Sequence, residues 1–440
     1  MHKSLSTLYP SSLALTRRSL ITGVACASAL STLPALAQFR VEVTGVGLTQ
    51  LPIAIAPFHG ENLSPQKIAA IVQADLERSG QFRGVDASGQ DLDENSRPDM
   101  NMWHDRTADS LVVGSVTRRG DGRYDVRFRL WDVVRSQDLG GRSYTVSQED
   151  LRLAAHRIAD YVYEKLTGEK GVFATRITYV TKSGSSYQLW VADADGADPK
   201  AALKSSEPII SPAWSSNGSQ LAYVSFESRK PVVYVQTIHT GQRRLLANFK
   251  GNNSAPAWAP NGGSLVISLS RDGASQLYNI SAAGGAPRRL TQSPSIDTEP
   301  VFSADGSAIY FTSDRGGSPQ IYKMGAGGGS AQRITFSGEY SVSPAISPDG
   351  RWLAYISRSG GAFKLQVMDL ASGSVRSITD TTADEKPSFA ANSKLILYVT
   401  RQSGRGVLMV TTLDGTIKTP LAARGGDIRE PDWGPFLHQQ

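Results

Sequence analysis

The apolar positions of residues 38–168 change from strand spacing to helix spacing and back again. The run LPIAIAPF predicts a buried strand. Ser64 and Pro65 then predict the start of a helix, and Gly80 predicts its end. The buried face of this helix is predicted to carry Ile68, Ile71, Val72 and Leu76. Together the strand and the helix form one βα unit.

The second half of this region predicts a hairpin followed by another helix. The runs SLVVGSVT and YDVRFRLWDV flank a turn at residues 120–122, and the second run alternates apolar with charged positions. Ser147 predicts the cap of a helix that ends before Gly168. The inward positions of that helix are Leu151, Ala155, Ile158, Val162 and Leu166. Residues 38–168 are therefore predicted to form a small α/β domain.

From residue 176 onward, one pattern of apolar and polar positions repeats. SPAWSSNGSQLAYVS, EPVFSADGSAIYFTS and SPAISPDGRWLAYIS are three of its copies. The prolines are 44 residues apart, with one interval of 43, at Pro212, Pro256, Pro300, Pro344, Pro387 and Pro431. Each unit offers four short apolar runs, and units of this length are typical of propeller blades.

The first and last units of the repeat are each incomplete. The first unit, residues 176–210, lacks the proline strand, and the final copy, EPDWGPF, is that strand alone. Pairing the two removes two exposed edges, so residues 169–440 are predicted to form an all-β six-bladed propeller closed by the C-terminal strand. Two-residue turns with positive φ are predicted at Asn217-Gly218, Asn261-Gly262, Asp305-Gly306 and Asp349-Gly350.

The first 37 residues have the layout of an export signal. Arg17 and Arg18 precede an apolar run, and an Ala-Leu-Ala sequence predicts cleavage between Ala37 and Gln38. Both the general secretory route and the twin-arginine route fit this segment. Cys26 is the only cysteine and lies inside it, so the mature chain offers no thiol chemistry. No later run is long and apolar enough to predict a membrane span.

Charge and motifs exclude several classes of function. The net charge of +6 falls to +3 once the signal is removed, which is an ordinary surface balance and predicts no nucleic-acid partner. The chain contains no GxSxG elbow and no HExxH motif. His156 is expected to be a half-buried structural residue, and turn chemistry accounts for the aspartates of the repeat without an axial cation. No catalytic residue, metal or cofactor is therefore predicted.

Several phrases resemble the TolB family of the Tol-Pal system: VVGSVT, YEKLTGEKGVFATRITYV, SPAWSSNGSQLAYVSFES, TEPVFSADGS, GGSAQRIT and EPDWGPF. The resemblance covers essentially all of the mature chain. It implies a monomeric, non-enzymatic periplasmic adaptor that binds the peptidoglycan-associated lipoprotein (Pal) and TolA, and through TolA is linked indirectly to TolQ and TolR. It also implies a role in outer-membrane invagination during cell division and in outer-membrane integrity.

The resemblance assigns the TolA contact to residues 38–49. There Phe39, Val41 and Val43 alternate with Arg40 and Glu42, which suits addition of a strand to a partner's sheet. The alternative is that this segment is the first strand of the chain's own α/β domain, and the two readings are compatible in different states.

The lipoprotein contact is expected on the propeller end whose loops lead into the proline strands. By resemblance it involves Asn252, Ala255, Thr298 and Glu299. Carboxylates recur just before the strand prolines and are expected to offer a rim to a basic partner: Glu207, Glu299, Glu385 and Glu430. Exchange of Glu299 for lysine is expected to weaken binding without changing the melting temperature.

Two other classes of function remain open from the residues alone. One is an exported propeller enzyme, such as a metal-dependent lyase or lactonase, which requires ligating residues on the inner strands. The other is a carbohydrate-binding propeller, which requires exposed aromatic residues on one face. The tryptophans of the repeat are expected to pack within blades instead: Trp214, Trp258, Trp352 and Trp433.

Overall fold

The computed structural model describes residues 50–437, which form a small α/β domain followed by a six-bladed β-propeller. Both parts of the predicted fold class are therefore confirmed. No helix within residues 50–437 has the length and apolar character needed to cross a membrane.

The N-terminal domain is built on one mixed sheet of five strands. These are β1 (Leu51–Ile55), β2 (Phe82–Val85), β3 (Ser110–Arg118), β4 (Tyr124–Asp132) and β5 (Gln137–Val146), in the order β2-β1-β3-β4-β5. Strand β1 pairs in parallel with β2 and β3, and β3, β4 and β5 pair antiparallel. The helices are α1 (Ile68–Arg78), α2 (Met100–Asp105) and α3 (Leu151–Thr167), with a 3-10 turn at Glu61–Leu63.

The apolar faces predicted for α1 and α3 are the faces that the fold buries. Both helices pack in one core with β1, β3 and β4, while Trp103 of α2 packs in a second cluster with Leu111 and Val113 of β3. Leu166 at the end of α3 is only partly buried. The period of the apolar residues therefore identified the core of this domain correctly.

Both predicted helix caps are wrong by a few residues. Helix α1 begins after Lys67, and the Ser64 hydroxyl accepts a bond from the Gln66 amide instead. In the first turn of α1, the Ala69 amide donates to the buried Glu61 carboxylate at 3.1 Å. Similarly, α3 begins after Asp150, whose amide donates to the Ser147 hydroxyl. The two serines therefore order the turns that precede the helices and do not cap them.

The propeller consists of six four-stranded antiparallel sheets. From inner to outer strand, blade 1 contains β9 (Ile209–Trp214), β10 (Gln220–Ser225), β11 (Val232–Thr237) and β12 (Arg243–Ala247). Blade 2 contains β13 (Asn253–Trp258), β14 (Ser264–Leu269), β15 (Gln276–Ser281) and β16 (Arg288–Arg289). Blade 3 contains β17 (Asp297–Phe302), β18 (Ala308–Ser313), β19 (Gln320–Gly325) and β20 (Gln332–Arg333).

The remaining blades follow the same order from inner to outer strand. Blade 4 contains β21 (Tyr340–Ile346), β22 (Trp352–Ser359), β23 (Ala362–Asp369) and β24 (Val375–Ser377). Blade 5 contains β25 (Glu385–Phe389), β26 (Leu395–Gln402), β27 (Arg405–Thr412) and β28 (Lys418–Pro420). Blade 6 contains β29 (Asp427–Trp433), β6 (Arg176–Ser183), β7 (Ser186–Asp193) and β8 (Lys200–Ser205).

Blade 6 joins the two ends of the propeller, as the incomplete units predicted. Strand β29 pairs antiparallel with β6, so that Trp433 lies opposite Ile177. The Trp433 indole is buried and donates a hydrogen bond to the Thr175 hydroxyl at 2.8 Å. Because the last strand completes the first sheet, neither end leaves an unpaired inner edge.

The turns after the inner strands differ from the predicted two-residue hairpins. Residues 215–219 connect β9 to β10, and within them Gly218 has φ +68° whereas Asn217 does not have a positive φ. The Asn217 side chain accepts the Ser219 amide at 3.1 Å. Glycine therefore supplies the left-handed residue, and the preceding Asn orders the loop through its side chain.

Candidate functional site on the propeller axis

The two ends of the propeller have different surroundings. One end, here called the domain face, carries the turns that follow the inner strands and contacts the N-terminal domain. There Arg152 of α3 pairs with Asp193 of blade 6 at 2.9 Å, and Lys394 pairs at 2.8 Å with Glu169 of the segment that follows α3. The opposite end, the distal face, carries the loops leading into the inner strands: residues 206–208, 248–252, 290–296, 334–339, 378–384 and 421–426.

Every inner strand has a β-bulge at the residue before its proline. These six residues have φ between +47° and +53°, and together we call them the axial ring: Ser211, Ala255, Glu299, Ser343, Lys386 and Glu430. The pairing of each inner strand with its neighbour shifts at this point. A non-glycine residue with positive φ costs on the order of 1–3 kcal/mol and persists only where its surroundings hold it.

Two carboxylates of the axial ring brace neighbouring blades. Glu299 of blade 3 accepts the Ser343 amide and hydroxyl of blade 4, each at 2.9 Å, and also the Thr312 hydroxyl at 2.8 Å. Glu430 of blade 6 accepts the Ser211 amide of blade 1 at 3.2 Å. These bonds compensate part of the strain of the bulges and fix the ring.

Asp432 adds a second brace where the propeller closes. Its carboxylate accepts the Trp214 amide of blade 1 at 3.0 Å and the Ser388 hydroxyl of blade 5 at 2.8 Å. Burial raises the pKa of Asp432 above its ordinary value. Burial also raises the pKa of Glu430, and the positive charge of Lys386 offsets part of that rise. The axis is therefore a place where carboxylates are desolvated and held by internal donors.

The distal face opens into two clefts that meet at the axial ring. The first cleft encloses about 480 Å³ and is lined by Ala255, Thr298 and Glu299, together with Ile296 and Tyr340. We call it the 2–3 cleft because blades 2 and 3 form most of it.

The second opening is the 4–5 cleft, which encloses about 450 Å³ between blades 4 and 5. Its lining includes Tyr340, Val342, Phe363, Lys386 and Arg401. A third cavity of about 450 Å³ lies on the domain-face side and is lined mainly by the strand prolines and aromatic residues, including Trp214, Trp258 and Trp433. The axial ring lies where these three cavities meet.

Three of the four residues assigned to the lipoprotein contact lie together. Ala255, Thr298 and Glu299 share the 2–3 cleft. Asn252 is exposed and lies just before β13, and its backbone N–H donates to the Ser270 hydroxyl at 2.9 Å. The internal bonds of Glu299 argue against the expectation that its loss leaves stability unchanged.

Other predicted residues lie outside the described part of the chain. These are the cleavage site at Ala37 and Gln38 and the TolA segment, with Phe39, Arg40, Val41, Glu42 and Val43.

The sequence did not reveal the 4–5 cleft. A signal was nevertheless present, because Lys386 stands before a strand proline at the repeat position that Ala255 occupies in blade 2. The distal face also exposes two large apolar side chains that were not predicted. Ile296 is 50% exposed and Phe336 is 75% exposed, with the Arg333 guanidinium 5.2 Å from the Phe336 ring. Such residues are typical of docking surfaces when they lie close to a cavity.

A second polar cluster lies where α3 contacts blade 6. His156 is fully buried rather than half-buried, and its Nδ1 atom lies 2.6 Å from Asp75 of α1. Its Nε2 atom lies 3.5 Å from Asp193, the last residue of β7. Arg152 pairs with Asp193 at 2.9 Å and with Asp195 at 2.5 Å. This cluster links the N-terminal domain to the propeller.

The cluster contains groups that are able to ligate a metal, but positive charge already occupies it. Ligand atoms of His156, Asp193 and Asp195 lie within 4.8 Å of one another. Burial lowers the pKa of His156, yet the carboxylates of Asp75 and Asp193 outweigh burial and raise it to about 10. Protonated His156 and Arg152 therefore balance the carboxylates, and the geometry is that of a structural ion-pair network.

Comparison with known proteins agrees with this architecture. The family model of the TolB amino-terminal domain matches residues 39–139, and that of the TolB beta propeller domain matches residues 163–437. A Tol-Pal system protein TolB of Albidiferax ferrireducens is 77% identical over 420 residues, covering 96% of this chain and 97% of the relative. The corresponding protein of Bordetella pertussis is 53% identical over 411 residues, covering 93% of this chain and 94% of the relative.

The chain belongs to the TolB family. The crystal structure of TolB from Acinetobacter baumannii superposes with a TM-score of 0.80 at 36% identity, covering 88% of this chain and 97% of that chain. The resemblance seen in the sequence is thus confirmed. As a TolB-family protein, the chain is a periplasmic component of the Tol-Pal system.

Proposed function

We propose that this TolB-family chain is a non-enzymatic adaptor that binds Pal on its distal face and TolA through residues 38–49. In this proposal residues 1–37 are the cleaved signal, residues 38–168 the N-terminal domain and residues 169–440 the propeller. The adaptor links the inner-membrane proteins TolA, TolQ and TolR to the outer membrane, and it supports invagination at division and envelope integrity.

One observation carries the Pal part of the proposal. Ala255 of blade 2 and the adjacent Thr298 and Glu299 of blade 3 line one cleft on the propeller end opposite the N-terminal domain. The exposed Ile296 belongs to the lining of the same cleft, and Phe336 precedes the inner strand of blade 4. A cleft with apolar residues at its rim and fixed polar groups at its base is suited to a protruding part of a folded partner.

The direct test measures binding of purified Pal, without its lipid anchor, to residues 38–440 by calorimetry. Thr298→Arg places a long side chain in the 2–3 cleft and is expected to weaken binding at least about tenfold, equivalent to about 1.4 kcal/mol. Ala283→Arg, at an exposed turn on the domain face, is the matched control and is expected to bind like the wild type. Equal affinity of both variants for Pal would remove the 2–3 cleft from the interface.

The TolA part of the proposal has a separate test. A chain that lacks residues 38–49 is expected to lose TolA binding while it retains Pal binding, because every residue proposed to contact Pal belongs to the propeller and is still present in that chain. Retained TolA binding would refute the assignment of this segment.

A further inference from the structure

Lys386 is the only positively charged residue of the axial ring. It has φ +48° and is followed by Pro387, so the backbone is fixed on both sides of its side chain. The residue lines both the 4–5 cleft and the cavity on the domain-face side, and it is half-buried. Lys386 therefore lines the cavities on both sides of the axial ring.

All four carboxylates that line the 4–5 cleft are held by donors of the chain itself. Glu299 and Glu430 brace neighbouring blades, as described above. Glu385 accepts from Arg401 at 3.3 Å, and Asp384 accepts the Leu365 amide at 3.2 Å as well as two threonine hydroxyls. These carboxylates are already satisfied, which reduces what they offer to a basic partner.

The Lys386 ammonium, in contrast, makes no hydrogen bond and no close ion pair with any residue between 50 and 437. Its positive charge lowers the pKa of Glu430 and of Asp432, but from beyond the distance of a direct ion pair. The ammonium of this half-buried lysine is therefore free to accept a charged partner, and a carboxylate brought by a ligand would form a charge-assisted hydrogen bond with it.

The symmetry of the axial ring indicates that the fold does not require Lys386. Going round the ring, blades 1 to 3 carry Ser, Ala and Glu, and blades 4 to 6 carry Ser, Lys and Glu. The hydrogen bonds follow the same approximate twofold symmetry, because Glu299 accepts the Ser343 amide and Glu430 accepts the Ser211 amide. At the place equivalent to Lys386, Ala255 completes its half of the ring with a methyl group.

The 4–5 cleft that Lys386 lines also contains apolar residues. Tyr340 and Phe363 meet edge to face with their ring centroids 6.0 Å apart, and Val342 lines the same cleft. An ammonium group beside an aromatic wall is complementary to an extended segment that carries a carboxylate next to an apolar side chain.

We infer that Lys386 is the recognition residue of a second subsite on the distal face, where it receives an Asp or Glu side chain of docked Pal while an apolar neighbour packs on Tyr340 and Phe363. This inference rests on the proposed binding of Pal at the same face. It reverses the expectation from the sequence, in which rim carboxylates receive a basic partner.

The test measures Pal affinity and melting temperature for Lys386 variants of residues 38–440. Lys386→Ala copies the natural residue of blade 2, so its melting temperature is expected to stay within about 2 °C of the wild type. Its affinity for Pal is expected to fall at least about tenfold, and Lys386→Glu is expected to lower it further. The matched control is Arg405→Glu, which reverses an exposed charge outside the cleft on the same face of blade 5. Its effect is expected to be less than about threefold.

Charge exchange identifies the pair. Each acidic surface residue of Pal is changed to lysine in turn, and one of these variants is expected to restore binding to Lys386→Glu while it weakens binding to the wild type. Wild-type affinity of Lys386→Ala, a clear fall in its melting temperature, or the absence of any restoring variant would each overturn the inference. If Pal does not bind the wild type at all, the proposed function fails as well. If Thr298→Arg weakens Pal binding and Lys386→Ala does not, only the subsite at Lys386 is refuted.

Discussion

The stability of the N-terminal domain is predicted to depend on protonated His156. The ring is buried between Asp75 and Arg78 of α1, Arg152 and Asp160 of α3, and the Asp193 and Asp195 turn of blade 6. Its pKa is raised from 6.5 to about 10, so the folded protein keeps a proton that the unfolded chain releases above about pH 6.5.

The sign and size of the pH effect follow from this difference. Stability contributed by His156 is fully present below pH 6.5 and is lost as the pH rises through about 10. Between these limits the loss is about 1.4 kcal/mol per pH unit, or about 3 kcal/mol from pH 7.5 to 9.5. The measurements begin at pH 7.5 because burial raises the pKa of Asp160 to about 7, so that most of the Asp160 titration is complete before this range.

The assay compares urea unfolding of residues 38–440 and of His156→Gln at pH 7.5, 8.5 and 9.5. The variant leaves Asp75 buried with Arg78 as its remaining ionic partner, and removal of one member of a buried pair costs about 3–5 kcal/mol. We expect the free energy of unfolding of His156→Gln to be about 3 kcal/mol below that of the wild type at pH 7.5, at the lower end of this range. The difference between the two proteins is expected to become smaller towards pH 9.5. His239→Gln, at an exposed turn, is expected to follow the wild type at each pH. Parallel pH profiles for wild type and His156→Gln would refute the protonated state of His156.

Three further predictions concern the fold. Trp433→Ala removes a buried side chain of the closing strand and is expected to cost about 3–5 kcal/mol in urea unfolding; an unchanged midpoint would show that closure does not depend on it. Glu299→Ala is expected to lower stability by about 2–3 kcal/mol in addition to weakening Pal binding, because three donors lose their acceptor. If Glu299→Ala weakened Pal binding at an unchanged melting temperature, Glu299 would instead contribute to the Pal contact without stabilising the fold. In Gly114→Ala the new Cβ would lie 2.4 Å from the Arg127 carbonyl oxygen, so we expect the free energy of unfolding to fall by about 3 kcal/mol or the protein not to fold. Gly120 has open space around it, so Gly120→Ala is the control and is expected to melt like the wild type.

The repeat made most of the fold predictable. The proline spacing located the inner strands, and the incomplete first and last units predicted that β29 would complete the sheet of β6. The apolar period located the buried faces of α1 and α3. The sequence pattern placed the helix starts incorrectly, because Ser64 and Ser147 bond to turns just before the helices.

The candidate site was only partly predictable. Resemblance selected Ala255, Thr298 and Glu299, which line one cleft in the structure, but it gave no indication that Glu299 bonds to Ser343 of the next blade. The partner of Glu430 is Ser211, which is separated from it by almost the whole propeller sequence. Pairings of this kind carry no periodic signal, since they depend on how the closed ring brings side chains together.

The sequence by itself determined the architecture. The spacing of apolar residues and the residues that form turns are local properties, and every copy of the repeat carries them. Only the tertiary structure decided which charges are satisfied and which are not. Closure of the propeller gives each axial carboxylate an internal donor and leaves the Lys386 ammonium without a direct partner among residues 50–437. Docking of α3 on blade 6 buries His156 among carboxylates. The physical reason is that solvation and ion pairing depend on distances across the fold, which are fixed only after all six blades are in place.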